Sequence, residues 1–578
     1  MAYSHPTADQ ILALRVNAGI DDLATHERFA GATPDVVQAV VEGIAQFAEG
    51  EWAPLDRTGD TEGAVCTNGT VTLPDGYAKA YAGYVEQGWN TIAAPVEYGG
   101  QGLPFSLSTC VLENLGTADV AFSLLPLLSV GATEAISQHG SAEQKATYLP
   151  KLVSGEWSGT MNLTEPQAGS DLGALRTTAM PIESGEHAGK YRISGTKIFI
   201  TFGEHDLAEN IVQLVLARTP DAPAGSRGIS LFIVPKYLPD GDGNLSIRND
   251  YRAVSIEHKM GINVSPTCVM SYGDNGNCIG ELVGTENLGL KYMFTMMNNA
   301  RVNVGNQGLQ VAERATRQAL SYAQERVQSA RASSPGNGPV AIVEHPDVRR
   351  MLLRMRALTE AARALLYYTA GQLDRGSIGD DAAQKRGELL VPMLKAWASD
   401  VGCEVSSLGV QVHGGMGFIE ETGAAQHYRD ARIMPIYEGT NGIQAMDLVT
   451  RKLDMGSGAI LNELMQEIAS ECADIPGLAK LADDCASVGK WMLDEAELDD
   501  RLAGSVPFCT MCAVAVAGWQ LARQVRMLKS EEDVRAGTKA TLLDFFATHV
   551  ATAASGLRAA ATAGAKLLYR LDNDQIAS

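Results

Sequence analysis

The first 157 residues show apolar positions at helical spacing. Residues 35–52 (DVVQAVVEGIAQFAEGEW) place apolar side chains at i, i+3, i+4 and i+7, which is typical of a half-buried helix. A glycine-rich break at residues 95–104 interrupts this pattern, and an apolar helix is predicted again at residues 124–136. The pattern therefore predicts a helical domain over residues 1–157.

The pattern changes to short β-rich runs between residues 158 and 280. These runs lie at residues 191–201, 211–217, 228–235 and 267–271. Turn sequences such as residues 240–243 (DGDG) and 273–276 (GDNG) separate them. We expect a small antiparallel barrel or sandwich in this region.

Long amphipathic helices are predicted from residue 281 onward, at residues 301–326, 345–376 and 381–407. They suit a four-helix-bundle domain over residues 281–453. Residues 454–578 are rich in alanine and leucine and are predicted to form one additional helical domain. The fold class is thus α+β, mostly α, with the order helical, β, helical, helical.

Composition and charge narrow the function classes. The chain of 578 residues has 45% hydrophobic and 20% charged residues, as multidomain globular proteins do. A net charge of −22 argues against nucleic-acid binding, which needs clustered Lys and Arg. No apolar run approaches a membrane span of ~20 residues. We interpret the basic run Arg523, Arg526 and Lys529 as a solvated helix face, so no stable membrane anchor is expected.

The N-terminal residues and the cysteines bear on location. The N-terminus has no basic region followed by an apolar stretch, and it carries Asp9, Asp21 and Asp22. The nine cysteines are scattered, which is typical of a reducing compartment. We expect a cytoplasmic protein.

Two segments offer hydroxyl groups at turns. In residues 161–173 (MNLTEPQAGSDLG), Thr164 and Ser170 flank a turn that contains Pro166 and Gly169. Thr201 follows a predicted strand. Such groups can meet a flat polar ring edge or a phosphate, although for the segment alone a polar turn with no ligand is the simpler interpretation.

A third segment, residues 436–444 (IYEGTNGIQ), carries Glu438 at a turn that opens a helix. With Ile436 and Tyr437 as neighbours, its carboxylate is a candidate for partial desolvation, which raises a pKa toward the range of a general base. The alternative is a helix N-terminal charge stabilised by the helix dipole. The segment alone leaves both open.

Taken together, the segments TEPQAGSD, KIFIT, QVHGGMGF, YRDARI and IYEGT resemble the acyl-CoA dehydrogenase family in order and spacing. Residues 88–102 (GWNTIAAPVEYGGQG) are similar to its N-terminal signature. The resemblance covers roughly residues 35–453, and it implies a helical domain, a β domain and a four-helix domain.

The resemblance implies FAD-dependent α,β-dehydrogenation of an acyl-CoA to a trans-2-enoyl-CoA. Glu438 would abstract the α-proton while the β-hydride passes to flavin N5. The implied flavin contacts are Met161, Leu163, Thr164, Gly169, Ser170, Phe199, Ile200, Thr201 and Thr440. Phe199 stands where many members have tryptophan.

The resemblance also implies contacts to a partner subunit and to the substrate. Arg326, Gln411, Gly414 and Gly415 would hold the ADP half of the partner's FAD. Ser170, Asn298, Arg301 and Gly439 would contact the substrate, and Asn298 replaces an aspartate found in many relatives.

The chain looks most similar to the large bacterial members of the type of 3-(methylthio)propionyl-CoA dehydrogenase. In such members the additional domain takes the space of a second dimer, so a homodimer is expected, with electron transfer flavoprotein as electron acceptor. Short or medium acyl chains, or 3-(methylthio)propionyl-CoA, are the expected substrates.

Three alternatives remain at this stage. The first is an acyl-CoA oxidase, and the second is an alkylation-response flavoprotein of the same fold, which the missing basic patch disfavours. A purely structural helical scaffold is the third, and the ordered segments disfavour it.

Overall fold

The computed structural model describes residues 4–240 and 244–578, so most of the turn expected at residues 240–243 lies outside the described residues. The chain divides into two compact units. One comprises Gly43–Ala300, and the other comprises the N-terminal residues up to Glu42 together with Arg301–Ser578.

Helices occupy most of the first 156 residues, as the apolar spacing predicts. They are α1 (Thr7–Ala13), α2 (Ile20–Leu23), α3 (Pro34–Phe47), α4 (Asp56–Glu62), α5 (Tyr77–Glu86), α6 (Phe105–Ala118), α7 (Leu124–His139) and α8 (Ala142–Ser154). Among them lies a β-hairpin that we did not predict, with strands β1 (Val65–Thr67) and β2 (Thr70–Thr72). Asn68 and Gly69 connect its strands, both at positive φ, as a tight two-residue hairpin turn requires.

The middle region is one mixed sheet with a short additional hairpin. Its strands are β3 (Trp157–Asn162), β4 (Thr178–Pro181), β5 (Tyr191–Thr201), β6 (Asn210–Ala217), β7 (Ser230–Pro235), β8 (Tyr237–Pro239), β9 (Leu245–Arg248), β10 (Tyr251–Ile256), β11 (Thr267–Tyr272) and β12 (Ile279–Leu282). The order in the eight-stranded sheet is β10-β11-β5-β12-β7-β6-β3, with β4 beside β5. All its pairs are antiparallel except β3 with β6.

The sheet buries an apolar core in the Gly43–Ala300 unit. Ile193 and Ile200 of β5 pack there with Val215, Phe232 and Met270 from neighbouring strands. The strands β3, β6 and β7 are buried along their full length, and β7 carries the continuous apolar run (residues 231–235) that such a strand favours.

Long helices return after the sheet. They are α9 (Gly289–Glu325), α10 (Pro346–Ser377), α11 (Asp381–His413), α12 (Ala424–Ala431) and α13 (Asn441–Asp447). Helices α9 and α11 approach closely at two glycines, because a Cβ added to Gly308 would lie 2.1 Å from the carbonyl oxygen of Ala398. A Cβ on Gly402 would lie 2.9 Å from the Cα of Gly308. The fold class, α+β and mostly α, is confirmed.

The last part of the chain is helical as well. Its helices are α14 (Ala459–Glu471), α15 (Pro476–Asp494), α16 (Leu498–Ser530), α17 (Ala536–Phe546), α18 (Thr552–Ser555), α19 (Arg558–Ala561) and α20 (Asn573–Ala577). Helix α16 is long and apolar enough to cross a membrane by length and composition, yet 72% of its most apolar stretch is buried. Asn17 from the N-terminal residues bonds to Gln520 and Gln524 of α16, which ties the two ends of the chain into one unit.

Candidate active site

A strained turn in the Arg301–Ser578 part of the chain carries Glu438. Glu438 has φ +55° and the following Gly439 has φ +81°. A left-handed conformation costs a non-glycine residue roughly 1–2 kcal/mol and persists only where its surroundings impose it. Thr440 then caps α13 by accepting a hydrogen bond from the Ile443 N–H at 3.2 Å. The turn that we predicted to open a helix is therefore present.

Buried side chains from α9 and α11 hold this turn on both sides. The Tyr437 hydroxyl donates to Oε1 of Gln307 in α9. The ammonium of Lys395 in α11 donates to the Gly439 carbonyl at 2.7 Å and to Oδ1 of Asn441 at 3.0 Å.

Asn441 makes further bonds to α11. Its amide donates to the Ala396 carbonyl at 2.9 Å and to Asp400 at 2.8 Å, and it accepts from the Ser399 hydroxyl at 3.1 Å. The hydrogen bonds around Asn441 and Gly439 thus fix the turn that carries Glu438 against α11.

Burial gives Glu438 the electrostatics of a base at neutral pH. It raises the pKa of Glu438 to about 7, against the lowering effect of Arg301 and then of Lys395. Burial likewise lowers the pKa of Lys395 to about 8, while Glu438 and Asp400 oppose that change. A carboxyl group with a pKa near the working pH meets the requirement for general-base catalysis.

The backbone N–H of Glu438 is a second chemical feature of the turn. Among the described residues, this N–H makes no hydrogen bond to the protein. An N–H beside a candidate base can donate to an oxygen on which negative charge develops, as in an oxyanion hole.

In the Gly43–Ala300 unit, a β-bulge reorients the end of β5. Cys268 pairs with Ile200 and Met270 pairs with Lys197, so β5 has one extra residue in this interval. The extra residue reverses which side chains face the core, because successive residues point to opposite faces. Phe199, with φ +60°, is 58% exposed, whereas the side chain of Ile200 is buried in the core.

The segment that follows β3 is fixed against β5. The Ile198 N–H donates to the Thr164 carbonyl at 2.9 Å, and Lys197 donates to the Leu163 carbonyl at 3.0 Å. Lys197 also forms a buried ion pair with Glu165 at 2.8 Å. Burial alone would raise the pKa of Glu165. The ammonium of Lys197 and three hydrogen bonds from residues 176–177 lower this pKa to about 2.

These contacts bring Leu163 and Thr164 beside the exposed end of β5, where Phe199 and Thr201 lie. Thr164 and Thr201 are half-buried, and within residues 4–240 and 244–578 their hydroxyls have no hydrogen-bond partner. Met161 is buried in β3, close in sequence to these residues.

The other expected ligand residues lie at exposed positions, apart from Arg301, which is buried in α9. They are Gly169 and Ser170 in the turn after β3, Asn298 on α9, Arg326 after α9, Gln411 on α11, and Gly414 and Gly415 in the turn that ends α11. Gly414 adopts φ +61° and ψ −139°, a conformation that favours glycine.

Sequence reasoning missed Lys395, Gln307 and Asn441. Lys395 lies within the apolar stretch of residues 389–398 (LLVPMLKAWA), and an isolated charge on a buried helix face was the available signal. Gln307 gave no comparable signal in the sequence.

The helical–β–helical order and a half-buried glutamate on a strained turn are the features that the comparisons with known proteins address. Four family models match the chain. The acyl-CoA dehydrogenase N-terminal, middle and C-terminal domains match residues 34–156, 160–274 and 287–453, and an acetyl-CoA dehydrogenase C-terminal-like domain matches residues 461–572. The chain belongs to the acyl-CoA dehydrogenase family of oxidoreductases.

Curated relatives support this membership along the whole chain. The chain is 47% identical over 570 residues to 3-methylmercaptopropionyl-CoA dehydrogenase of Ruegeria pomeroyi, covering 96% of this chain and 95% of that protein. It is 32% identical to a broad-specificity linear acyl-CoA dehydrogenase of Mycobacterium tuberculosis, with 99% and 98% covered.

Solved structures show the same fold. An acyl-CoA dehydrogenase from Bacillus anthracis, complexed with FAD, is 22% identical with a TM-score of 0.74, covering 94% of this chain and 90% of that one. Butyryl-CoA dehydrogenase from Megasphaera elsdenii is 28% identical with a TM-score of 0.59, covering 72% and 97%.

Proposed function

We propose that this enzyme oxidises an acyl-CoA thioester to the trans-2-enoyl-CoA, with Glu438 as the base that removes the α-proton. The observation that carries the proposal is the half-buried Glu438 on its left-handed turn, with a pKa raised to about 7. A free carboxylate is too weak a base for a thioester α-proton, so both the base and the developing enolate need help.

The protein supplies this help in two ways. Desolvation strengthens Glu438 as a base, because burial destabilises its charged form until it accepts the proton. The N–H of Glu438 donates to the thioester oxygen and stabilises the enolate charge as it forms. Arg301, Asn298, Ser170 and Gly439 are the proposed substrate contacts.

FAD is the cofactor of the family, and the residues at the end of β5 fit it. The exposed Phe199 offers a ring face, and Thr164 and Thr201 offer half-buried hydroxyls without protein partners among the described residues. This set of groups suits a flat ring with polar edges. Bound FAD supplies the acceptor for the β-hydride. Met161, Leu163, Gly169, Ser170, Thr440 and the backbone of Ile200 complete the proposed contacts.

For the acyl group, we propose short or medium linear chains, with 3-(methylthio)propionyl-CoA as the first candidate. This rests on the relative from Ruegeria pomeroyi, which carries the name of that activity and matches 96% of the chain. We propose electron transfer flavoprotein as the electron acceptor. All nine cysteines are free thiols, which supports a cytoplasmic location.

We further propose a homodimer in which each subunit completes the partner's FAD site through Arg326, Gln411, Gly414 and Gly415. Next to these residues Phe418 is 85% exposed, and Met416, Ile419 and Tyr428 also expose apolar surface. A cluster of exposed apolar side chains marks a protein interface. We also propose the four segments expected from the sequence as the domains of each subunit, with residues 454–578 as the additional domain.

The test of the base is Glu438→Gln, which keeps the size of the side chain and removes its ability to take a proton. The purified variant is expected to retain FAD and to lose at least ~10³-fold in the rate of flavin bleaching by acyl-CoA under anaerobic conditions. The matched control is Glu421→Gln, which changes an exposed glutamate and leaves the rate unchanged.

Substantial bleaching by Glu438→Gln would reject Glu438 as the base. A panel of acyl-CoA thioesters, assayed with the wild-type enzyme and electron transfer flavoprotein, tests the chain-length proposal separately. Peroxide formation in air in place of transfer to the flavoprotein would indicate an oxidase.

A further inference from the structure

We propose that Lys395 is a positioning residue for this reaction, which holds the turn that carries Glu438 and sets the electrostatic environment of its carboxylate. The inference rests on the proposed role of Glu438. Lys395 lies on α11 and does not belong to any of the sequence segments that carry the family resemblance.

The contacts of Lys395 are directed at the turn. Its side chain is fully buried, and its ammonium donates to the Gly439 carbonyl at 2.7 Å and to Oδ1 of Asn441 at 3.0 Å. Gly439 follows the base directly, and Asn441 is the first residue of α13. One ammonium thus bonds to the residues on the C-terminal side of the base.

The strain of the turn explains why such a contact is needed. Glu438 and Gly439 are two successive residues at positive φ. This conformation costs free energy at Glu438, because Glu438 is not a glycine. Hydrogen bonds from a charged donor are about twice as strong as neutral ones, and they act here on the Gly439 carbonyl. The remaining bond to the glycine carbonyl, from the Gln444 amide, is long at 3.4 Å.

Burying a lysine is itself unfavourable, and a purely structural tie would not need a charge. Burial lowers the pKa of Lys395, while the carboxylates of Glu438 and Asp400 favour its charged form. Burial raises the pKa of Glu438, and the positive charges of Arg301 in α9 and Lys395 in α11 oppose that rise. Lys395 therefore limits how far burial raises the pKa of the base.

The experiment compares Lys395→Met, Lys395→Arg and the control Lys385→Met in the FAD-loaded enzyme. Lys385 lies on the same helix but is exposed, so its variant controls for replacing a lysine in α11. Each variant is measured for FAD content, thermal unfolding, kcat, KM and the pH profile of kcat/KM, whose acidic limb reports ionisation of the base.

For Lys395→Met we expect kcat to fall by about tenfold or more, and the acidic limb to move to higher pH by about one unit. Lys395→Arg keeps the charge but replaces the compact ammonium, so kcat should fall while the limb stays near its wild-type position. A purely structural role would change stability without moving the limb.

A folded, FAD-loaded Lys395→Met enzyme with wild-type kcat and an unchanged acidic limb would overturn the inference. If Lys395→Met does not fold, Lys395→Arg and Asn441→Ala decide it, because unchanged kcat in both would also overturn it. Glu438→Gln is measured in parallel. Activity in that variant would reject the proposed base itself, which separates failure of the proposed function from failure of this inference.

Discussion

At the scale of single residues, Glu438 combines three unfavourable features. It is partly desolvated, it lies at positive φ, and its backbone N–H makes no protein hydrogen bond among the described residues. Each feature reduces the stability of the folded protein, and each has a use in the proposed abstraction of a proton next to a thioester. This pattern is expected where function requires a local structure that lowers the stability of the protein.

The raised pKa of Glu438 predicts that Glu438→Gln stabilises the protein at alkaline pH. Because the folded-state pKa is about 7 and the ordinary value is 4.5, the folded state holds the proton more tightly between these values. The stability that protonated Glu438 provides is therefore present below pH 4.5 and is lost as pH rises through 7. The variant should gain up to about 3 kcal/mol over the wild type between pH 5 and pH 8.

Urea unfolding of the FAD-loaded wild type, Glu438→Gln and Glu421→Gln at several pH values measures this difference. The Glu421→Gln control should track the wild type at every pH. If the difference in the free energy of unfolding between Glu438→Gln and the wild type does not change with pH, the Glu438 carboxyl is well solvated.

The sequence predicted that Glu438 lies at a turn before a helix, but not which residues bond to this turn. A carboxylate between Ile436, Tyr437 and a glycine is a local signal. The contacts of Lys395 and Gln307 to this turn join residues more than 40 positions apart, and periodicity carries no information about such pairs. For the same reason, the exposure of Phe199 depends on a bulge that only the pairing of β5 with β11 reveals.

At the scale of elements, long elements were predicted better than short ones. Long amphipathic stretches predicted the starts of α10 and α11 to within one residue, because helical periodicity accumulates over many residues, whereas α9 begins 12 residues before its predicted start. Short strands such as β4 and β12 give only a few residues of pattern. The hairpin of β1 and β2 was missed although its Asn68-Gly69 turn is a strong signal, because the surrounding sequence is helical.

The packing of α9 on α11 predicts the effect of Gly308→Ala. A Cβ at this position would lie 2.1 Å from the Ala398 carbonyl oxygen, so backbone must move against backbone. We expect the free energy of unfolding to fall by about 3 kcal/mol or somewhat more, as for severe overpacking. Since Gln307 and Lys395 lie on these two helices, kcat should fall too.

Gly537→Ala is the matched control, because Gly537 lies in α17 with open space around its Cα. That variant should be neutral or slightly stabilised, by up to about 1 kcal/mol, owing to the higher helix propensity of alanine. Wild-type stability and kcat in Gly308→Ala would show that α9 and α11 are not closely packed there.

At the scale of the whole molecule, the proposed sharing of FAD sites explains the location of several expected cofactor residues. Arg326, Gln411, Gly414 and Gly415 are exposed, and the apolar side chains of Met416, Phe418 and Ile419 are exposed beside them. Exposed apolar residues next to polar ligand groups suit a self-complementary interface with two-fold symmetry.

Sharing predicts that two inactive variants restore each other when they are co-expressed. In a mixed dimer of Glu438→Gln and Arg326→Ala subunits, one site combines an intact Glu438 with the intact Arg326 of the other subunit. Random pairing should therefore recover about a quarter of the wild-type activity, since half of the dimers are mixed and each has one complete site.

The matched control co-expresses the Glu438→Gln/Arg326→Ala double variant with the wild type. There, mixed dimers contain no complete site, so activity should fall to about a quarter of that of the wild type, from its own homodimers. Differential tags on the two subunits show whether mixed dimers form. If they form and the activity of the first mixture only equals the average of the two variants alone, each subunit builds its FAD site by itself.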